Sequence, residues 1–206
     1  MASRKPKRGL VLGAGGVLGA AWSVGALCAL EEVIGFDPRE AEVIIGTSAG
    51  SVLASLVGGG VSPRQLRDHQ LGVPITEGPL AGFSWDYERA TTKRPGVPRF
   101  FGPGSGKLLR SSARRLRQMP PTAVLSGFLP QGQGSLARIG HLVEAITPVG
   151  EWSPHPNLWI CAMNYHSGTR VAFGRPGAPT AELAQAVHAP CAITEWFKPG
   201  QIGAPQ

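Results

Sequence analysis

Cysteine is scarce in this chain, with three cysteines among 206 residues. Cys28, Cys161 and Cys191 lie far apart, and no CxxC pair or Cys/His cluster has the spacing of a zinc site. The sequence therefore argues against a disulfide framework and predicts no metal centre, with reduced and buried thiols. It also lacks an internal repeat and a P-loop lysine, which excludes a solenoid and a P-loop nucleotide site. No cofactor is predicted.

Acidic residues are the second shortage, because 13 Asp and Glu stand against 20 Lys and Arg, for a net charge of +7. A basic surface suits nucleic acid, anionic lipid or acidic substrates. No nucleic-acid-binding motif accompanies the charge, so the surface is interpreted as solvated and no nucleic-acid partner is predicted. With 42% hydrophobic residues, the chain is long enough for a real core, and residues 1–206 are predicted to form a single domain.

Charge is absent from residues 9–30, directly after the basic residues Arg4, Lys5, Lys7 and Arg8. Such a segment is compatible with a signal peptide or a membrane span. Its glycines cluster at one end, which favours a third interpretation, in which a buried strand, a glycine loop and a buried helix follow one another. The prediction is a cytoplasmic protein.

Strand and helix patterns alternate over residues 1–60. The predicted order is a strand at 9–12, a glycine loop at 13–19, a helix at 20–34, a strand at 42–45, a turn at 46–50 and a helix at 51–57. This alternation is typical of a parallel sheet in an α/β fold. The helix at 20–34 is predicted to bury an apolar face that includes Trp22, Leu27 and either Val33 or Ile34.

Residues 60–156 are predicted to be a variable cap inside the same domain, because twelve of the nineteen prolines lie between Pro63 and Pro156. Loops are expected there, apart from two helices. Regular structure returns after the cap, without a clear domain boundary. The predicted elements are cap helices at 107–118 and 135–146, strands at 158–163 and 169–173, and a helix at 180–188 that ends before Pro190.

Gly46-Thr47-Ser48-Ala49-Gly50 is a GxSxG motif between an apolar strand and a helix. A nucleophilic serine needs a sharp strand-to-helix turn that exposes its oxygen, and the glycines avoid clashes within such a turn. The helix N-terminus behind the serine favours developing negative charge. Ser48 could instead only cap the helix. The strand–turn–helix context favours the nucleophile.

The glycine loop at Gly13–Gly19 lies between the first strand and helix and offers backbone N–H groups to an anion. Two anions compete, the pyrophosphate of a dinucleotide and the oxyanion of a tetrahedral intermediate. The spacing departs from the dinucleotide fingerprint by one residue, and the second strand ends in Gly46 rather than in an acidic residue. Both observations favour the oxyanion.

Taken together, the strand, the glycine loop, the helix and the GTSAG turn resemble the patatin-like phospholipases. The resemblance covers the first 60 residues and returns over 157–203. It implies a three-layer α/β fold with a mostly parallel central sheet. It also implies a serine-dependent lipid acyl hydrolase that uses a Ser–Asp dyad, acts on a lipid or acyl-ester substrate and needs no cofactor.

By this resemblance Ser48 is the nucleophile, and the backbone N–H groups of Gly15, Gly16 and Val17 form the oxyanion hole. The family loop usually carries a basic residue where this chain has Leu18. This difference affects how the loop is braced.

The dyad aspartate of the family sits in a DG[GA] motif, which is absent from these 206 residues. The three aspartates, Asp37, Asp68 and Asp86, do not match its position, so the fold is expected to be incomplete at the C-terminus. His166 and His188 follow the serine in the order of an α/β-hydrolase base, yet each is better interpreted as a surface or capping histidine.

A serine without a base is a poor nucleophile, so weak or no turnover is predicted for the chain alone. Two alternatives stay open at this point. One is a catalytically impaired relative or fragment that binds lipid without hydrolysing it. The other is a nucleotide-binding α/β protein that uses the loop at Gly13–Gly19.

The cap helix at 107–118 is basic and amphipathic, with Arg110, Arg114 and Arg117 beside an apolar stripe that includes Leu109 and Ala113. Short helices of this kind lie on anionic membrane surfaces. A solvated arginine face on an ordinary packed helix is the slightly favoured interpretation of the pattern. Peripheral membrane contact through the three arginines is therefore kept as a hypothesis.

Overall fold

The computed structural model describes residues 7–84, 104–114, 121–194 and 196–203. These residues form an α/β fold around one open sheet. Its strands are β1 (Gly9–Leu12), β2 (Val43–Gly46), β3 (Leu158–Met163) and β4 (Arg170–Phe173). Its helices are α1 (Gly16–Ile34), α2 (Ala49–Gly58), α3 (Pro63–Gln70), α4 (Gly106–Arg114), α5 (Pro121–Ser126), α6 (Ala137–Glu144) and α7 (Leu183–Cys191), with a 3-10 turn at Pro38–Glu40.

The sheet order is β1-β2-β3-β4, with β1, β2 and β3 parallel and β4 antiparallel to β3. Leu12 lies opposite Gly46, and Gly46 lies opposite Ile160, so the first two strands end side by side. Parallel crossovers are right-handed, and both crossovers here step the same way across the sheet. The predicted mixed α/β fold with a mostly parallel sheet is confirmed.

The two faces of the sheet differ sharply in burial. Helices α2 and α7 pack on one face, where Ile44, Leu158 and Ile160 are fully buried. On the other face Val11 is 72% exposed and Met163 is 43% exposed. The described residues thus form two of the three predicted layers.

The predicted buried face of the first helix is partly wrong, although Leu27 is buried as predicted. In α1 the buried side chains are Val24 and Leu27, whereas Trp22 is 76% exposed and Val33 is 80% exposed. The reason is that α1 packs mainly on α3 rather than on the sheet, so a different side of the helix is buried. Within the described residues α1 alone has the length and apolar composition of a membrane span, criteria that core helices and signal sequences also satisfy.

Two other helices differ from the prediction for local reasons. Helix α3 occupies a segment predicted as loop, and a capping box starts it: Gln65 N donates to Ser62 Oγ at 3.2 Å while Ser62 N donates to Gln65 Oε1 at 3.0 Å. Helix α7 starts at Leu183 and runs through Pro190 to Cys191. A proline so near the helix end removes only a terminal hydrogen bond.

Candidate active site at the serine turn

Ser48 occupies the turn between the end of β2 at Gly46 and the start of α2 at Ala49. Its backbone has φ 53° and ψ −126°, and it is the only non-glycine residue with positive φ among those the structure describes. Such a conformation is costly for an L-residue and persists only where the surroundings enforce it. The structure therefore holds a strained, half-buried serine at the carboxyl edge of the sheet.

The two glycines of the motif are required by close backbone approach. A Cβ on Gly46 would lie 2.4 Å from the carbonyl oxygen of Gly50. A Cβ on Gly50 would lie 2.2 Å from the carbonyl oxygen of Leu12. Both distances are far inside van der Waals contact, and backbone atoms cannot move aside as a side chain can. Only hydrogen fits at these two positions.

Hydrogen bonds hold the turn from both sides. The Ser48 carbonyl accepts from Ser51 Oγ at 2.6 Å and from Ser51 N at 2.8 Å, and Ser51 is fully buried. On the other side Thr47 Oγ1 donates to the Cys161 carbonyl at 2.9 Å. The GxSxG motif predicts neither hydrogen bond. Ser51, which directly follows the motif, is the sequence feature that points to the first of them.

The alternative role of Ser48, helix capping, requires a hydrogen bond from its side chain. As the N-cap residue of α2, Ser48 makes no side-chain capping bond. Its backbone carbonyl, rather than its hydroxyl, is the group engaged by the helix. The hydroxyl is therefore not committed to a capping role.

The glycine loop lies directly beside the serine turn. Gly50 N donates to the Gly13 carbonyl at 3.0 Å, and Thr47 N donates to the Leu12 carbonyl at 3.1 Å. Helix α1 begins at Gly16, four residues earlier than predicted, so Gly16 and Val17 belong to its first turn. First-turn N–H groups have no acceptor within their helix and carry its positive dipole end.

Close packing also fixes the loop itself. A Cβ on Gly15 would lie 2.7 Å from the Gly19 Cα, and Gly16 has φ 57°. Leu18, which stands where the family has a basic residue, is 85% exposed. Because the Leu18 side chain is exposed, it does not hold the loop in place, and the loop is held by the close packing of its glycines.

A cavity of about 1560 Å³ adjoins the turn. Gly13, Gly46 and Thr47 line one end of it, and Cys161 and Met163 line the uncovered face of the sheet. Ser48 itself is not among the lining residues, although both of the residues before it are. The space lies over the face of the sheet on which Val11 and Met163 are exposed, and polar residues such as Asn164 and Lys198 line it together with apolar ones.

The described aspartates are already engaged elsewhere. Asp37 accepts from Arg39 Nε at 3.0 Å, and the hydrogen bond from that side chain holds its pKa below the usual value. Asp68 accepts from Arg67 Nη2 at 2.9 Å. Asp86 lies outside the described residues. Neither described aspartate bonds to Ser48.

The two histidines weighed as bases occupy different places. His166 lines the cavity that adjoins the turn and is exposed. His188 lies between α6 and α7, where its Nε2 is 2.9 Å from the position of a Cβ on Gly140. Burial is the main cause of its lowered pKa. His188 is therefore packed against α6 and is not the surface histidine that was predicted.

The predicted state of the cysteines holds in part. All three thiols are free, Cys191 is buried, and Cys28 and Cys161 are half-buried. Burial raises the pKa of Cys191 to about 11. Within the described residues no cluster of three or more metal-binding side chains occurs.

The order of motifs and the fold agree with the comparison to protein families. A family model described as patatin-like phospholipase matches residues 10–204. The chain belongs to the patatin-like phospholipase family.

Two similar solved structures both contain ExoU. One is the type III effector protein ExoU, at 20% identity and a TM-score of 0.37, covering 93% of this chain and 41% of that chain. The other is the ExoU-SpcU heterodimer from the type III secretion system of Pseudomonas aeruginosa, at 21% identity and a TM-score of 0.38, covering 92% and 36%. This patatin-like chain thus spans about two fifths of the solved chains it resembles. No curated relative matches it.

Proposed function

We propose that this patatin-like chain carries the nucleophile and the oxyanion hole of a serine-dependent lipid ester hydrolase. Ser48 is the nucleophile, and the N–H groups of Gly15, Gly16 and Val17 receive the oxyanion. The observation that carries the proposal is the positive φ of Ser48, enforced by glycine packing against the neighbouring loop. A strained serine at this strand-to-helix turn is typical of a nucleophile elbow.

In the proposed reaction Ser48 Oγ attacks the ester carbonyl carbon and loses its proton. The carbonyl oxygen becomes an oxyanion facing the first turn of α1, where N–H groups and the helix dipole favour negative charge. The alcohol portion of the lipid then leaves with a proton, and water hydrolyses the acyl-serine ester. The family resemblance assigns the proton transfers to an aspartate. No described carboxylate bonds to Ser48, so slow turnover is expected.

The cavity supports an acyl ester over a nucleotide. Its wall beside the turn is apolar, with Val11, Ile45 and Met163 among its residues. The Gly13 carbonyl, an acceptor, is committed to Gly50 N, which ties the loop to the serine turn. A pyrophosphate site would need the loop free of that turn and an acidic residue after β2, where the chain has Gly46.

Labelling with a fluorophosphonate serine probe tests the proposal. The chain is expected to be labelled slowly, because the proposed oxyanion hole is present while no described carboxylate bonds to Ser48. The Ser48→Ala variant is expected to lose all labelling, and a Ser84→Ala variant at an exposed serine serves as the matched control. Labelling that survives in Ser48→Ala, or no labelling of the parent chain, contradicts an activated Ser48. The second result favours the lipid-binding relative without turnover.

The nucleotide alternative has its own readout. ATP or NAD is titrated while the melting temperature is followed, because a ligand that binds only the folded state raises it. The lipid hydrolase proposal expects no shift. A saturable shift that is abolished by a substitution in the loop at Gly13–Gly19 would favour the nucleotide.

A further inference from the structure

The positive charge of this chain is concentrated in one segment. Residues 89–143 contain two lysines, eight arginines and no acidic residue. The rest of the chain carries ten basic and 13 acidic residues, a net charge of −3. The overall charge of +7 therefore comes entirely from this segment, which lies inside the cap.

Helices α4 and α5 are described parts of this segment, and they pack together. Leu108 is fully buried. The Leu109 side chain approaches Gly127, where an added Cβ would lie 2.9 Å from Leu109 Cδ2. Ser105 N donates to the Gly127 carbonyl at 3.2 Å, which joins the start of α4 to the end of α5.

The predicted apolar stripe of α4 is partly wrong. Leu108 is the buried residue, Leu109 is half-buried and Ala113 is exposed. Arg110 is exposed as predicted, Arg114 ends the helix, and Arg117 lies outside the described residues.

Two large apolar side chains are exposed on the same pair of helices. Leu125 in α5 and Phe128 just after it are each 60% exposed, and Lys107 and Arg110 are exposed cations of α4, which packs on α5. We call these four residues the α4–α5 surface. Exposed apolar side chains among cations are the composition of a segment that lies at a lipid–water interface.

The α4–α5 surface is connected to the cavity beside the serine turn. Gln131 Nε2 donates to the Gly104 carbonyl at 2.7 Å, just ahead of α4. Gln131 and the next residue, Gly132, line the same cavity as Gly46 and Thr47. The chain thus passes directly from α5 to the wall of the cavity.

We propose that the α4–α5 surface docks this protein on an anionic lipid surface, with Leu125 and Phe128 inserted at the headgroup level and the cations against lipid phosphates. Nucleic acid is the other polyanion that such charge attracts. The exposed aliphatic Leu125 favours lipid, because a phosphate backbone gains nothing from it. Docking would present lipid to the cavity beside Ser48; this last consequence rests on the proposed function, whereas docking itself does not.

Vesicle sedimentation of the full chain tests the docking. A Ser48→Ala background keeps binding separate from any hydrolysis, and the vesicles are phosphatidylcholine with or without phosphatidylserine. Binding is expected only with phosphatidylserine and is expected to weaken as salt rises. The Leu125→Ser/Phe128→Ser double variant is expected to bind at least about tenfold more weakly. Arg110→Gln is expected to bind about fivefold more weakly, as one cation lost at an anionic surface.

Matched controls carry the same substitutions at exposed positions elsewhere. Leu71→Ser/Val149→Ser removes two apolar side chains that are each 71% exposed, and Arg64→Gln removes an exposed arginine of α3. Both controls are expected to bind like the parent. Equal binding by the test and control variants overturns the proposal, as does absence of phosphatidylserine-dependent binding. Binding to polyuridylate without binding to vesicles favours nucleic acid and also overturns it. Because the Ser48→Ala background binds without reacting, failure here leaves the probe-labelling test of Ser48 unaffected.

Discussion

At the serine turn, backbone atoms lie so close together that two positions have room only for hydrogen, whereas on the α4–α5 surface the distinguishing side chains lie in solvent. Gly46 and Gly50 are fixed by contacts with the backbone, and Ser48 is held in a strained conformation between them. Leu125 and Phe128 are mostly exposed. The turn therefore depends on shape at single positions, while the surface depends on composition over many residues.

This difference predicts opposite responses to mutation. A single added methyl group should disrupt the turn, because its neighbours are backbone atoms that cannot move aside. Substitutions on the surface should leave the fold intact, because few contacts are lost. Both expectations concern the same folded chain, so each region serves as a control for the other.

The largest effect is expected for Gly50→Ala. Its Cβ would lie 2.2 Å from the Leu12 carbonyl oxygen, so we expect a loss of at least about 3 kcal/mol in the free energy of unfolding and no probe labelling. The matched control is Gly25→Ala in α1, where a Cβ meets no atom within 4 Å. It is expected to stabilise by up to about 1 kcal/mol. Urea unfolding measures both, and equal stability of the two variants would refute the packing argument.

A smaller and more specific effect is expected at Ser51. Its Oγ donates to the Ser48 carbonyl at 2.6 Å, and Ser55, one turn later in α2, donates to the Val52 carbonyl at 2.7 Å. Both serines are fully buried. Ser51→Ala and Ser55→Ala should each cost about 1 kcal/mol of stability. Only Ser51→Ala should also slow probe labelling, because only Ser51 holds the carbonyl of the proposed nucleophile.

The comparison between the two serines separates positioning from stability. Labelling rates are measured under conditions in which both variants are fully folded, so that a loss of folded protein cannot imitate a loss of reactivity. If the two variants label at the same rate, Ser51 is only a structural residue. If Ser55→Ala labels more slowly than Ser51→Ala, the assignment of Ser51 as the residue that positions the Ser48 carbonyl is wrong.

The interior and the α4–α5 surface should also differ in their response to pH and salt. Burial lowers the pKa of His188 below its ordinary 6.5, with Glu144 acting to raise it and His141 to lower it. Well above pH 6.5 the His188 imidazole is neutral in both the folded and the unfolded state, so it contributes no pH dependence to the free energy of unfolding. As pH falls below about 6.5 the unfolded chain binds a proton more readily, so the free energy of unfolding must decrease.

Denaturant unfolding across this pH range measures the effect. His188→Gln is expected to have a shallower loss of stability with acid than the parent chain, while the lowered pKa of His69 leaves a remaining slope of the same sign. His155→Gln, at a histidine whose Nε2 lies 2.8 Å from the Ala41 carbonyl oxygen, serves as the control. An unchanged slope in His188→Gln would contradict the lowered pKa of this half-buried histidine.

Sequence reasoning was most accurate where the chain follows rules set by neighbouring residues. The strands β1 and β3 and the strand–turn–helix context of Ser48 lie where they were predicted, because a short apolar run followed by glycine allows few other structures. The sequence also showed that no DG[GA] aspartate is present. By contrast, the buried face of α1 depends on which element packs against it. The apolar spacing places Trp22 on the buried face, and no local pattern reveals that α1 packs on α3.

The contacts that hold the serine turn were equally out of reach of local patterns. The Thr47 hydroxyl bonds to Cys161, a residue 114 positions later in the chain. A motif names the residues of a turn, but it does not identify partners that arrive from distant strands. The basic segment at 89–143 shows the opposite case. Counting residues in the sequence is enough to find its charge, whereas the exposure of Leu125 and Phe128 is visible only in the structure.

The smallest effect on stability is expected on the α4–α5 surface. Leu125→Ser/Phe128→Ser should change the free energy of unfolding by no more than about 0.5 kcal/mol for each substitution, because both side chains are mostly solvated already. Its labelling by a soluble fluorophosphonate should equal that of the parent chain, since Ser48 is untouched. With a substrate embedded in phosphatidylserine vesicles, the same variant should react more slowly, because less protein reaches the surface. A stability loss as large as that of Gly50→Ala would mean that this surface is held by packing, and the contrast between the two regions would fail.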